Sequence, residues 1–235
     1  MLKIDHLTKT YGAKKAVDDM SLHILPGEIY GFIGHNGAGK TTTLKCVAGI
    51  LHFDTGEITI DGSSIRKDPV KCKSALAYIP DNPDLYDFMS GIQYLNFVAD
   101  IFGVPVSERQ ERIRRYADTL ALTDDLAQPI SNYSHGMKQK RALISAWIHN
   151  PKLIIMDEPF VGLDPKASFL LKEMMRAHCD GGGAIFFSTH VLEVAEKLCD
   201  KVAIIRQGKL IRSGTMEEVK GDESLEEVFL ELEAN

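Results

Sequence analysis

Glu28-Ile29-Tyr30-Gly31-Phe32-Ile33 runs directly into Gly34-His35-Asn36-Gly37-Ala38-Gly39-Lys40-Thr41, and Leu44, Val47, Ala48 and Leu51 follow at helical spacing. A short apolar strand, a glycine-rich loop and a helix succeed one another without a break. The loop fits the pattern G-x-x-x-x-G-K-[ST], which composition alone would produce in about one chain in a hundred of this length. Each specified position has a task. Glycines let the backbone curl so that successive N–H groups point inward at a polyphosphate, with the positive end of the next helix's dipole behind them. Lys40 reaches the β- and γ-phosphates, and the Thr41 hydroxyl is placed to ligate a Mg²⁺ ion that bridges the same groups. Gly34, His35, Asn36, Gly37, Ala38, Gly39, Lys40 and Thr41, with Thr42 beside them, are the first candidate binding residues.

A second half of the site lies far downstream. Leu153-Ile154-Ile155-Met156 is a continuous apolar run of the kind found in strands covered on both faces, and it stops abruptly at Asp157-Glu158. Two carboxylates there put negative charge at the carboxyl edge of a sheet, where open α/β folds bind their ligands. Asp157 is the natural metal ligand or orienter of its water shell, and Glu158 is the candidate to polarise an attacking water. Asp-Glu-Pro by itself is ordinary turn material; its significance comes from the phosphate loop.

Around these two motifs the pattern alternates between strand and helix. Leu2 and Ile4, then Leu22 and Ile24, alternate with polar residues about a turn at Tyr11-Gly12, which predicts a small β-layer at the start. A second pair of strands is expected near Gly56–Ile60 and Ala75–Ile79. From Ser90 the period becomes helical, with stripes at Ile92, Leu95, Ala99 and Phe102 and at Ile113, Tyr116, Ala117 and Leu120. Asp164-Pro165 reads as an N-cap and first turn, opening a helix through Leu170, Met174 and Ala177 that Gly181-Gly182-Gly183 ends. A strand at Ala184–Ser188, a helix carrying Val191, Val194, Ala195 and Leu198, and a hairpin turning at Gln207-Gly208 follow. The last segment, with Leu225, Val228, Phe229 and Leu232, is an acidic amphipathic helix whose apolar side must dock somewhere. Such alternation implies an α/β sheet with right-handed crossovers.

Composition narrows the class. A chain of 235 residues, 44% hydrophobic, can bury a substantial core without staples. The formal net charge of -6 leaves no global basic field, so nucleic acid is not an expected partner. Cys46, Cys72, Cys179 and Cys199 are scattered singly, a pattern that fits a reducing cytosol and suggests neither a zinc site nor a dithiol. The opening residues lack the apolar stretch of a signal peptide, and no run approaches the 18 or so apolar residues of a membrane span. Any membrane task would need another chain to cross.

Taken in order, GHNGAGKT, YSHGMKQKRA at Tyr133–Ala142, LIIMDEP, GLDP at Gly162–Pro165 and STH at Ser188–His190 closely resemble the ATP-binding cassette (ABC) family, over essentially the whole chain. The resemblance implies an α/β P-loop NTPase: a RecA-like parallel sheet core (1–80 and 151–222), an N-terminal antiparallel β-layer, an inserted α-helical subdomain (81–150) and a C-terminal amphipathic helix (223–235). It also implies that Tyr11 stacks on adenine with Val17 beside it, and that Ser134 and Gly136 contact the γ-phosphate held by an opposite subunit. Asp164 would cross that dimer interface, and His190 would hydrogen-bond the γ-phosphate, joining Glu158 and Lys40 as catalytic residues. Two departures stand out. Asp81 takes the place of the family's usual glutamine and offers a shorter, charged ligand for Mg²⁺; His135 and Met137 replace a glycine and a glutamine in the signature.

The implied function is ATP hydrolysis, with Mg²⁺, in a homodimer or heterodimer of ATPases at the cytoplasmic face of the membrane. The dimer would drive a separate transmembrane permease. Tyr86, Phe88 and Met89 are candidate permease contacts. Exporters of drugs, antibiotics or peptides are the closer likeness, since import cassettes often carry a longer regulatory tail. A soluble cassette acting on ribosomes or DNA is the alternative, but the paired cassettes or long coiled coil of those relatives are not seen. No guanine-reading N-K-x-D or T-K-x-D motif is present.

Overall fold

A computed structural model describes residues 1–83 and 86–234. Asp84, Leu85 and Asn235, which the expected segments 81–150 and 223–235 include, lie outside the described residues. The chain opens with β1 (Leu2–Tyr11) and β2 (Lys14–Ile24), then β3 (Ile29–Ile33) and α1 (Lys40–Val47). Next come β4 (Thr55–Ile60), β5 (Ser63–Ser64), α2 (Pro69–Ser74) and β6 (Leu76–Ile79). The helices α3 (Gly91–Ile101), α4 (Val106–Thr119) and α5 (His135–Ile148) follow, with short 3-10 turns before α5. The remainder is β7 (Leu153–Asp157), α6 (Pro165–Asp180), β8 (Ala184–Thr189), α7 (Leu192–Leu198), β9 (Lys201–Arg206), β10 (Lys209–Thr215), α8 (Met216–Lys220) and α9 (Leu225–Ala234).

Two sheets organise these elements. One has the order β2-β1-β4-β5 and is antiparallel; the other runs β10-β9-β3-β8-β7-β6, parallel from β9 to β6 with β10 antiparallel at one edge. Every residue of β3, β7 and β8 is buried, as expected of strands covered on both faces. Phe32, Phe186 and Ile155 of the parallel sheet meet Leu44 of α1 and Leu22 and Ile58 of the antiparallel layer in one core. On the other face Ile154, Ile185 and Phe187 pack with Leu171 and Met175 of α6 and with Leu143 of α5. Because β3, β7 and β8 are parallel, their carboxyl ends share one edge, and the loops that follow them converge there.

Two expectations are corrected. The strands near Gly56–Ile60 and Ala75–Ile79 are not a pair: β4 joins β1 in the antiparallel layer, whereas β6 borders β7 in the parallel sheet. Their patterns explain the split. Ile58 and Ile60 are buried on the alternating, one-sided face of β4, while β6 is an unbroken Leu76-Ala77-Tyr78-Ile79 run suited to two-sided cover. Between them lie β5 and α2, too short to show a period; of α2 only Cys72 is buried. Finally, α6 buries Ala167, Leu171, Met174, Met175 and Cys179 and leaves Ala177 exposed, since positions 167, 171 and 175 share one face at the 3.6-residue repeat.

Candidate active site

The loop from Gly34 to Gly39 carries the chain from the end of β3 into the first turn of α1. Gly37 and Gly39 sit at φ 82° and 111°, backbone conformations that strain any side-chain-bearing residue. Gly34 and Gly39 are also close-approach positions. A Cβ at Gly34 would lie 2.6 Å from the Ile205 carbonyl oxygen, and one at Gly39 would lie 2.3 Å from that of Ala16. The loop is thus pressed between the end of β9 and the start of β2. Two main-chain bonds hold the curl: Ala38 N–H donates to His35 O (3.1 Å), and Gly208 N–H donates to Ala38 O (2.8 Å). Lys40 is 6% exposed and folds back, its Nζ donating to Gly34 O at 2.6 Å and His35 O at 3.3 Å. The same ammonium stands 3.6 Å from Glu158 Oε1.

Across the cleft, Asp157 ends β7 in full burial. Ser188 Oγ, from the neighbouring strand β8, donates to Asp157 Oδ1 at 2.5 Å and accepts the Glu158 N–H at 3.0 Å. Glu158 needs that support, because its φ of 49° is costly for a non-glycine residue. His190, just past the end of β8, places Nδ1 2.9 Å from Glu158 Oε2. Asp157 Oδ2 and Glu158 Oε1 are buried and have no hydrogen-bond partner among the described residues.

A buried carboxylate oxygen without a donor is expensive unless a cation reaches it. Asp81 and Thr41 line the same cleft as Asp157, and the oxygens that these three side chains carry are hard ligands that fit Mg²⁺. Among the described residues no group of three His, Cys, Asp or Glu side chains could hold a metal alone.

The cleft between these groups has a volume of about 310 Å³, and Tyr11, His35, Asn36, Gly37, Gly39, Lys40, Thr41, Thr42, Asp81, Asp157 and Glu158 all line it. Gly34 and Ala38 lie buried behind the curl. Val17 is fully buried in the core, and its neighbour Ala16 lines the cleft. A larger hollow of about 530 Å³ beside Trp147, Lys152 and Gly181–Gly183 opens at the opposite, amino-terminal edge of the sheet, away from every motif above.

Ser134, Gly136 and Asp164 do not line the cleft of their own chain. They form a separate surface. Ser134 caps α5, its Oγ accepting from Met137 N–H at 3.3 Å. A Cβ on Gly136 would lie 2.7 Å from Gly162 O, so the signature turn packs directly on the loop that leads to Asp164. Asp164 caps α6 by accepting from Ala167 N–H at 2.8 Å and pairs with Lys140 Nζ of α5 at 3.1 Å. Those two partners, the backbone donor first, hold its carboxyl below the usual range.

The ABC transporter family model matches residues 17–161. The chain belongs to the ABC transporter family. It is similar to the linearmycin resistance ATP-binding protein of Bacillus subtilis strain 168, 34% identical over 215 residues that span 92% of this chain and 69% of that one. A solved ATP-binding subunit of an ABC transporter superposes with a TM-score of 0.95 at 33% identity, covering 99% of both chains. The cbiO1 protein of Clostridium perfringens, part of the transporter complex cbiONQ, superposes at 0.80 with 27% identity, over 99% of this chain and 96% of that one. The expected ABC ATPase fold, a parallel sheet core with an antiparallel layer, is therefore the observed one, and the chain is a transporter ATP-binding subunit of an ATP-hydrolysing family.

Some residues that shape this ABC ATPase site were not singled out from the sequence. Ser188 is the bridge between Asp157 and Glu158, and the buried hydroxyls that follow the apolar Ala184–Phe187 run were its signal. Arg141, 1% exposed, donates from Nη2 to Pro83 O at 2.5 Å and lies 4.4 Å from the Tyr94 ring centroid. It ties the signature helix α5 to the segment that follows Asp81.

Proposed function

We propose that this ABC ATPase binds Mg·ATP in the cleft at Lys40 and hydrolyses it to drive a separate permease, in the direction of export. The observation that carries the reading is the convergence of Lys40, Glu158 and His190 beside the buried, unpartnered Asp157 Oδ2, next to the Gly34–Gly39 loop. Triphosphate oxygens would take Lys40 Nζ from the Gly34 and His35 carbonyls that accept its hydrogen bonds. Thr41, Asp157 and Asp81 would hold Mg²⁺, which supplies charge neutralisation between the β- and γ-phosphates. Glu158 then polarises the attacking water, its carboxylate oriented by His190 and its backbone by Ser188. Release of Glu158 Oε2 would leave His190 free to hydrogen-bond the γ-phosphate. Tyr11, half exposed at the cleft mouth, is the platform for the adenine.

Ser134, Gly136 and Asp164 face away from their own cleft, which favours a role against the nucleotide of a second ATPase subunit, in a homodimer or heterodimer. The helical subdomain, residues 81–150 inserted between core segments 1–80 and 151–222, would receive the permease. Its exposed aromatics support this, with Phe88 85% exposed and Tyr86 between Phe88 and Phe97, ring centroids 6.1 and 5.6 Å away and planes inclined at 60° and 54°. Among the described residues no helix is long and apolar enough to cross a membrane. The proposed permease is a separate chain, and the ATPase would act on it from the cytoplasmic face. Export is favoured by the likeness to a resistance protein. Glu158→Gln tests the centre of the reading: ATP binding should persist while turnover falls about 10²- to 10⁴-fold, the range for loss of a positioned base. Unaltered steady-state turnover would place the base elsewhere.

A further inference from the structure

The acidic terminal helix, whose apolar side the sequence left without a destination, docks beside the phosphate loop. Leu225, Val228 and Phe229 of α9 are 0%, 3% and 7% exposed and join the core together with α7 and α8. Arg206 at the end of β9 donates from Nη1 to Leu232 O at 2.6 Å, fixing the second half of the helix. Its neighbour Ile205 supplies the carbonyl that backs Gly34. Helix and loop are therefore registered on the same strand end. The Phe229 ring meets the His35 ring edge to face, centroids 5.0 Å apart and planes at 63°.

We infer that Phe229 is a positioning residue of the phosphate loop, and that the docked terminal helix is thereby part of the nucleotide site. The inner half of the loop is held by the Ile205 and Ala16 carbonyls and by the Gly208 amide. The outer half, His35 to Gly37, is exposed, and a Cβ at Gly37 would meet nothing within 4 Å. His35 O is nonetheless a working part of the curl, accepting from both Ala38 N–H and Lys40 Nζ. Restraining the His35 ring restrains that carbonyl and the amides that follow it. An edge-to-face aromatic pair of this geometry is worth a factor of about 2 to 12 in an equilibrium constant. A loop pre-set by that contact binds polyphosphate more tightly by about the same factor, because the ordering cost has been met before the ligand arrives.

This inference rests on the nucleotide reading of the loop, and the test separates the two. Phe229→Leu keeps an apolar side chain in the helix dock but removes the ring. Hydrogen exchange of the His35–Gly39 amides, measured without nucleotide, should speed up by about 2- to 12-fold in that variant. The KM for ATP should rise by about the same factor with kcat little changed, a split that a general loss of folded protein would not produce. In a His35→Leu background, Phe229→Leu should have no further effect on either readout. Unchanged loop exchange in Phe229→Leu, or an undiminished effect of that substitution in the His35→Leu background, would overturn the inference. Faster exchange in a protein that shows no saturable ATP binding would instead overturn the nucleotide reading.

Discussion

Replacing Ser188 by alanine removes two hydrogen bonds with one oxygen atom. The first runs to a fully buried carboxylate, Asp157, whose other oxygen already lacks a partner, so the variant leaves both oxygens bare. A bond to a buried charged acceptor contributes about 1.5–3 kcal/mol. The second satisfies the amide of Glu158, a residue held at φ 49°, and contributes about 1 kcal/mol more. The sum is about 2.5–4 kcal/mol, which for a domain of this size lowers Tm by about 5–15 °C. Thermal unfolding followed by circular dichroism reads that shift. Function separates the site effect from a packing effect. The phosphate loop is untouched, so affinity for ATP without metal should stay within about twofold, while half-saturating Mg²⁺ should rise about tenfold or more as Asp157 loses its orientation. Turnover should fall with it. A Tm within about 2 °C of wild type together with an unmoved Mg²⁺ dependence would refute the reasoning.

Ser134→Arg should abolish hydrolysis while each subunit still binds ATP, since Ser134 stands off the cleft of its own chain; equilibrium binding alongside steady-state turnover checks it, and full activity would exclude a signature acting across subunits. His149 and His178 are both held below their ordinary value of 6.5, burial being the leading cause in each. The unfolded chain therefore binds protons that the folded chain refuses, and stability should be level above about pH 7 and decline as pH falls through 6.5. Carboxylates held low by their partners, such as Asp61 beside Lys152, add their own loss only in more acidic solution. Urea midpoints measured from pH 7.5 to 5.5 would show the slope, and an unchanged slope in His149→Gln and His178→Gln would remove the two histidines from the account.

The two halves of the site were legible because their chemistry is local. Gly37 and Gly39 are glycines for the φ they adopt, Lys40 and Thr41 follow at fixed reach on a helix start, and Asp157-Glu158 ends an apolar run. A strand, loop and helix in immediate succession place them with no knowledge of the remaining chain. The stripes of α3 and α4 were legible for a similar reason, since a repeat of 3.6 is written into neighbouring residues. Val17 was not. On β2 the buried side chains are Ile24, Leu22 and Met20, and then Val17, because irregular pairing with β1 near Asp19, itself at φ 55°, changes which face is inward. One inserted residue reverses the alternation, so a strict period-two reading would turn Val17 to the wrong face of the strand.

By itself, the sequence determined that a phosphate loop and an acidic strand end are present, and that strands alternate with helices, because those properties depend on residues adjacent in the chain. Tertiary structure decided that Ser188 bridges Asp157 and Glu158, that Arg141 reaches Pro83, that Ala16 rather than Val17 meets the cleft, and that Phe229 closes on His35. Each of these joins residues far apart in the chain or depends on strand register, and their pairing follows from strand order and helix docking, which are settled by the packing of the whole core.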